Sequence, residues 1–288
     1  MSRSATYEEL KDAIAAAYPA LSRQLQQIAR FALERPNELA LGTVATVAEA
    51  ADVQPSALIR FANALHFAGF SEMQQLFRAR LLERSVSYRE RIGRMRRSGE
   101  VRTSDAGVLH QFVGDAIDEL GHLEDSVRAA DLAAAAKLIC AAQRVHVLAQ
   151  RRAFPVACYL AYALGQLELK TQLLGGLGGM LAESLRGIDA KDVLLVASFH
   201  PYSPEVVDAA RTAFARGVRV IAITDSALSP LKPAARVCFE LAAGPNPAFR
   251  SLVAPMCVAQ ALVISAGHRL TAPKRSAPRR AAAAKAAA

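Results

Sequence analysis

The apolar residues Val193 to Val196 run through Ala197 into Ser198-Phe199-His200-Pro201-Tyr202-Ser203, and a helix start follows at once. Hydroxyl, imidazole and phenol groups in such a loop can hold a small ligand by hydrogen bonds. Ser203 suits an N-cap, Pro204 suits the first helical position, where its missing N–H would be unpaired anyway, and Glu205 complements the helix dipole. Val206, Val207, Ala210, Ala213 and Phe214 carry the helix on to Gly217, which can end it in a left-handed conformation. A second apolar run, Val218 to Ile223, ends in Thr224-Asp225-Ser226. This reads as a strand-helix-strand unit, and in open α/β sheets small ligands bind at the carboxyl ends of the strands. Ser198 to Ser203 is therefore the expected ligand loop. Asp225 is expected to cap a turn and Tyr202 to cover the sheet edge.

The elements that would position this loop alternate. Apolar strands are expected at Val145 to Ala149, Leu169 to Leu174, Val193 to Ala197, Val218 to Thr224 and Val237 to Leu241, with helical segments between them. That pattern predicts a doubly wound, five-stranded parallel sheet covered on both faces. Helices over Asp105 to Val127 and Asp131 to Ala142 lead into it. Leu252 to Leu270 closes it, with part of its apolar surface expected to meet a second subunit. Cys140, Cys158, Cys238 and Cys257 are scattered among aliphatic residues, so neither metal nor disulfide nor cofactor is expected. No long uncharged apolar run and no signal peptide are read, which points to a cytoplasmic protein with no membrane partner.

The net charge of +9 is unevenly spread. Residues 1–97 carry 14 Lys and Arg against 10 Asp and Glu, residues 98–270 carry 16 of each, and residues 271–288 carry 5 basic residues and no acidic one. A neutral centre with basic flanks implies that the flanks meet a polyanion.

The N-terminal third supplies a candidate for that contact. Tyr7 to Leu41 is helical in pattern, with Leu21, Leu25, Ile28, Phe31 and Ala32 ahead of a break at Pro36. Thr46-Val47-Ala48-Glu49 has capping-box form, Asp52-Val53 make a short turn, and Gln54-Pro55-Ser56 open a second helix with Pro55 at its first position. Leu58, Phe61, Ala62 and Leu65 form the inward stripe. Gln54, Ser56, Ala57, Arg60 and Asn63 are then the candidates to face DNA in a helix-turn-helix. Ser71 can cap a further helix through Met73, Leu76, Phe77 and Leu81. Arg84 to Arg97 is Arg-dense and reads as a solvated linker, a hinge follows from Ser98-Gly99 to about Ser104, and residues 271–288 read as a disordered basic tail.

The stretch Val47 to Phe61, followed by Leu65-His66-Phe67-Ala68-Gly69-Phe70, resembles the DNA-binding domain of the RpiR/MurR family of bacterial transcription regulators. It departs from that pattern at Gln54, where Ser is common, and at His66, where Gly commonly closes the helix. Residues 120–270 are similar to the sugar isomerase (SIS) domain that follows in the same family, notably in Ser203-Pro204-Glu205-Val206-Val207 and in Val220 to Leu231. The resemblance implies sugar-phosphate binding through a loop after the first strand and a Ser-x-Ser-Gly-x-Thr loop after the third. Here Gln150-Arg151-Arg152-Ala153-Phe154-Pro155 stands in the first. In the second, Ser198 and Ser203 match, while His200 and Pro201 replace Ser and Gly. Two readings stay open: an anion held by Arg151, Arg152, Ser198, His200, Tyr202 and Ser203, or a domain kept only for dimerisation.

The expected organisation is a helix-turn-helix domain at 1–84, an Arg-rich linker at 85–104, a SIS-like domain at 105–270 and the tail. The expected function is a homodimeric or higher-order regulator of a carbohydrate-related pathway, bound to a double-stranded operator and controlled by a small anionic metabolite. No catalytic residues are assigned. A sugar-phosphate isomerase and a ligand-blind DNA-binding dimer are the alternatives.

Overall fold

The computed structural model describes residues 6–85, 88–98, 104–241 and 250–272; the expected tail beyond 272 and the hinge at 99–103 lie outside them. The first part is all helical. It comprises α1 (Tyr7–Ala17), α2 (Arg23–Glu34), α3 (Pro36–Leu41), α4 (Val44–Ala50), α5 (Pro55–Ala64) and α6 (Phe70–Ser85). Leu10, Ile14, Ile28, Leu39, Leu58, Phe61, Met73 and Phe77 are fully buried in a single core. α1 starts with a capping box in which Thr6 accepts from the Glu9 N–H and the Glu9 carboxylate answers the Thr6 N–H.

Two helix starts differ from the sequence reading. The cap of α4 is Thr43, and Thr46 is its reciprocal partner three residues on, because a threonine hydroxyl can play either role in the box. α6 begins at Phe70, so Ser71 lies inside its first turn. The turn between α4 and α5 places Asp52 at φ 51°, and His66 closes α5 at φ 66°. Both side chains tolerate the left-handed region better than most non-glycine residues.

The Arg-dense stretch read as a linker is helical, as α7 (Tyr88–Ser98). Arginine, methionine and glutamate are strong helix formers, and Arg96 and Arg97 sit in the last turn, where the dipole favours cations. α8 (Asp105–Gly121) is capped by Ser104, whose hydroxyl accepts from the Gly107 N–H. The short α9 (Leu123–Ser126) and α10 (Ala129–Ala141) follow.

The second core is built on β1 (Val145–Ala149), β2 (Thr171–Leu173), β3 (Val193–Ala197), β4 (Arg219–Thr224) and β5 (Val237–Glu240). All pairings are parallel and the order is β2-β1-β3-β4-β5. Alternate residues feed two faces. Val145, Val147, Val193, Leu195, Ile221 and Ile223 pack under α10, α11 (Phe154–Gln166) and α14 (Val253–Thr271). Leu148, Leu194, Val196, Val220 and Ala222 pack under α13 (Pro204–Ala215) and beside α12 (Leu181–Arg186). Burial on both faces is why the central strands β1, β3 and β4 read as continuous apolar runs, whereas the edge strand β2, Thr171-Gln172-Leu173, is largely exposed. α14 is long and apolar enough to cross a membrane by length and composition, but its buried side packs on α10 and α11 as a core helix. Phe214 is 57% exposed and so lies off the buried stripe of α13. In this order the chain reverses direction of winding between β1 and β3, the switch point at which open α/β sheets place a crevice beyond the strand ends.

Candidate functional site

The loops after β1 and β3 meet at that crevice. Ser198 and Ser203 are buried, and the Ser203 N–H donates to Ser198 Oγ at 3.1 Å, which folds the loop back on itself. The Ser203 hydroxyl reaches both Gln150 Oε1 and Glu205 Oε2, so it ties the first loop to the second. Ser203 stands at the N-cap of α13, yet its hydroxyl makes no cap bond. Glu205 takes that part. Hydrogen bonds from the Ser203 hydroxyl and from its own backbone N–H, helped by the charge of Arg151, hold its carboxyl below the usual carboxylate range.

The backbone of His200 and the side chain of Tyr202 both meet Asp225, a residue expected from the sequence only to cap a turn. The Asp225 carboxylate accepts from the main-chain N–H of His200 at 2.9 Å, from the Tyr202 hydroxyl at 2.9 Å and from Arg250 Nη1 at 3.1 Å. Arg250 Nη1 also donates to the His200 carbonyl at 2.9 Å. Burial, and then the Asp225 charge, raise the Tyr202 phenol, which stays a neutral donor. The position of Asp225 at the carboxyl end of β4 was a usable signal; an isolated arginine at 250 carried none.

The two arginines after β1 diverge. Arg151 is exposed, at φ 53°, on the rim. Arg152 is turned toward the start of α14, donating to the carbonyls of Arg250 and Ser251 at 3.2 and 3.3 Å and lying 5.2 Å over the Phe199 ring. Burial and then the nearby Arg250 charge lower its pKa.

Residues 137–265 match the SIS domain family. The chain carries a SIS domain. The sugar isomerase domain of the RpiR transcription factor from Sphaerobacter thermophilus is 27% identical, with a TM-score of 0.52, over 56% of this chain and 89% of that one. The Vibrio vulnificus NanR protein, solved in complex with ManNAc-6P, is 18% identical with a TM-score of 0.53, and the likeness covers 89% of this chain and 90% of that one. A Listeria monocytogenes protein described as a sugar-phosphate isomerase is 16% identical with a TM-score of 0.51, covering 59% and 93%. The last two are likenesses of fold. Comparison with curated proteins returns no match. Together these findings support the resemblance to RpiR-family regulators.

The loop after β3 is also where the helical part touches the SIS domain. The Tyr7 ring stacks on the His200 ring at 5.5 Å and 28°. Behind Tyr7 stand Phe77, edge-on at 5.2 Å, and the Arg80 guanidinium, 4.9 Å from the ring centroid. His200 in turn meets Tyr202 edge-on at 5.6 Å. Leu228, just beyond β4, packs against the helical core, and Arg211 of α13 pairs with Glu34 of α2 at 3.0 Å.

On α5, Gln54, Ser56, Arg60 and Asn63 are exposed, while Ala57 is fully buried beside Leu58. Its methyl packs inward and is not presented to a base, contrary to the sequence reading. Arg60 Nη2 donates to Gln24 Oε1 at 2.7 Å, and Gln27 Nε2 donates to the Ala51 carbonyl at 2.8 Å, so α2 braces both helices of the pair.

Proposed function

We propose that this chain is a cytoplasmic, DNA-binding transcription regulator of a carbohydrate-related pathway. In it, α4 and α5 form the helix-turn-helix, and the SIS domain takes a small anion, a sugar phosphate or sugar acid, at the carboxyl ends of β1 and β3. The stack of Tyr7 on His200 carries this reading. A ligand that moves the 198–203 loop acts on the helical part through a direct contact. It changes DNA affinity to the extent that it binds one arrangement better than the other.

Supporting the ligand class are the match to the SIS family and the likeness to a NanR solved with ManNAc-6P. Supporting the DNA role is the exposure of Gln54, Ser56, Arg60 and Asn63 along one helix whose other side is held by Leu58, Phe61 and Ala62. Arginine can bridge two guanine acceptors or grip a phosphate, and Gln or Asn can pair with adenine. Glu205 is engaged by the Ser203 hydroxyl and held below the usual carboxylate range, which makes it a weak base toward a substrate proton. We read the domain as a sensor.

The test is a fluorescence anisotropy titration of an operator duplex at fixed salt, with and without a panel of sugar phosphates. Arg60→Ala and Gln54→Ala are expected to weaken binding, and one phosphosugar is expected to shift the wild-type affinity. Unchanged binding by both variants, or no shift with any sugar phosphate or sugar acid, overturns the reading.

A further inference from the structure

We infer that Asp225 is a resident anion of the SIS loop: its carboxylate holds the donor set that an effector's phosphate or carboxylate would engage, and the effector binds by replacing it. The inference rests on the proposed placement of an anion at residues 198–203.

Three donors of different kinds, two from the loop after β3 and one from the residues just before α14, converge on this one carboxylate: the main-chain N–H of His200, the phenol of Tyr202 and the guanidinium of Arg250. A main-chain N–H, a hydroxyl and an arginine are what proteins assemble around phosphates and carboxylates, because together they donate several charge-assisted bonds with little bulk. The set is also desolvated, with the Asp225 and Arg250 side chains 7% and 12% exposed. Glu205 does the same at the start of α13, where it takes the Ser203 hydroxyl.

Two consequences follow from the electrostatics. Exchanging Asp225 for another anion keeps Arg250 paired, whereas a neutral sugar seated there would leave a buried guanidinium without a counter-charge, which is strongly unfavourable. Asp225 thus selects for anions while it weakens their binding by competition. Exchange also passes the His200 N–H from Asp225 to the effector, and this is the main-chain group of the residue whose ring lies on Tyr7.

The experiment uses the full chain and inorganic phosphate as probe. Asp225→Asn keeps the side-chain shape and removes the charge, so calorimetry is expected to find phosphate bound at least about tenfold more tightly than by wild type, the effect of removing one competing charge at short range. In wild type, the amide resonance of His200 is expected to move on phosphate addition. If folded Asp225→Asn binds phosphate no more tightly while the wild-type His200 amide moves, this inference is overturned and the anion site survives. If phosphate binds and the amide stays still, or does not bind at all, both the inference and the anion site fail. Should Asp225→Asn not fold, Asp225→Ser, which also removes the charge, is titrated in its place under the same outcomes. Absence of specific DNA binding would sink the regulatory reading and leave this titration unaffected.

Discussion

The ring of Tyr7, in the first helix, lies on the ring of His200, in the loop after β3, at 5.5 Å and 28°. The two residues belong to separately cored parts of the chain, and Tyr7 is itself part of the helical core. The stack joins the part proposed to bind DNA to the loop proposed to sense the effector.

His200→Ala removes this contact from the SIS side and leaves the helical core in place. Aromatic pairs contribute about 0.5–1.5 kcal/mol beyond their area. We expect little change in melting of the helical part, faster hydrogen exchange at the amides of residues 6–10, and a smaller effect of phosphosugar on DNA affinity. Exchange unchanged from wild type would contradict a stabilising stack. Tyr7→Ala is a poorer probe, since truncating a buried aromatic costs about 3–5 kcal/mol and disturbs the whole helical core.

On the proposed recognition helix, burial separates function from stability. Arg60 and Asn63 are exposed, and their replacement by alanine should leave the melting temperature near that of wild type while each costs about 1–3 kcal/mol of discrimination at one base position. Ala57 is fully buried, and Ala57→Leu should instead destabilise the domain by about 1–3 kcal/mol through overpacking. Thermal melts beside binding curves on base-substituted duplexes check both.

Glu205 contributes to the acid limb of stability. Its carboxyl is held below its ordinary value near 4.5, chiefly by the Ser203 hydroxyl, so the unfolded state binds the proton more readily. The contribution is fully present above that ordinary value and is lost as pH falls through the depressed folded value. Glu205→Gln should therefore narrow the stability gap to wild type as pH drops below about 4.5. A gap that widens toward acid pH would refute the assignment.

We propose that α8 offers the surface for a second copy. Leu109, Val113 and Ile117 are 67%, 48% and 63% exposed along one side, and Ile264 of the neighbouring α14 is 58% exposed. A homodimer through this face predicts that Ile117→Glu raises the monomer fraction in light scattering at micromolar concentration. An unaltered mass would place the dimer contact elsewhere.

Much of the fold was legible because the residues that build it do so locally. The central strands β1, β3 and β4 are buried on both faces and so must be apolar runs, which mark them in the sequence; the more exposed β2 and β5 lie within the stretches expected for them. The end of α5 at His66 and the turn at Asp52 were marked by residue types that tolerate positive φ. The Arg-dense stretch gave no sign of its helix, because arginine is as readily solvated in a helix as in a loop. Ala57 was misassigned because its position borders the stripe of Leu58, Phe61 and Ala62, and a small residue gives no sign of which side it joins. The site was half legible: Ser198 to Ser203 advertised itself at a strand end. Its partners Asp225 and Arg250 come from 25 and 50 residues beyond His200, a juxtaposition that only the tertiary fold creates.

Whether α5 reads DNA is decided by selecting duplexes from a random pool with the purified protein at fixed salt. Enrichment of a palindromic or repeated half-site, lost with Arg60→Ala, is expected, whereas recovery of sequences no different from the starting pool would refute DNA reading by α5.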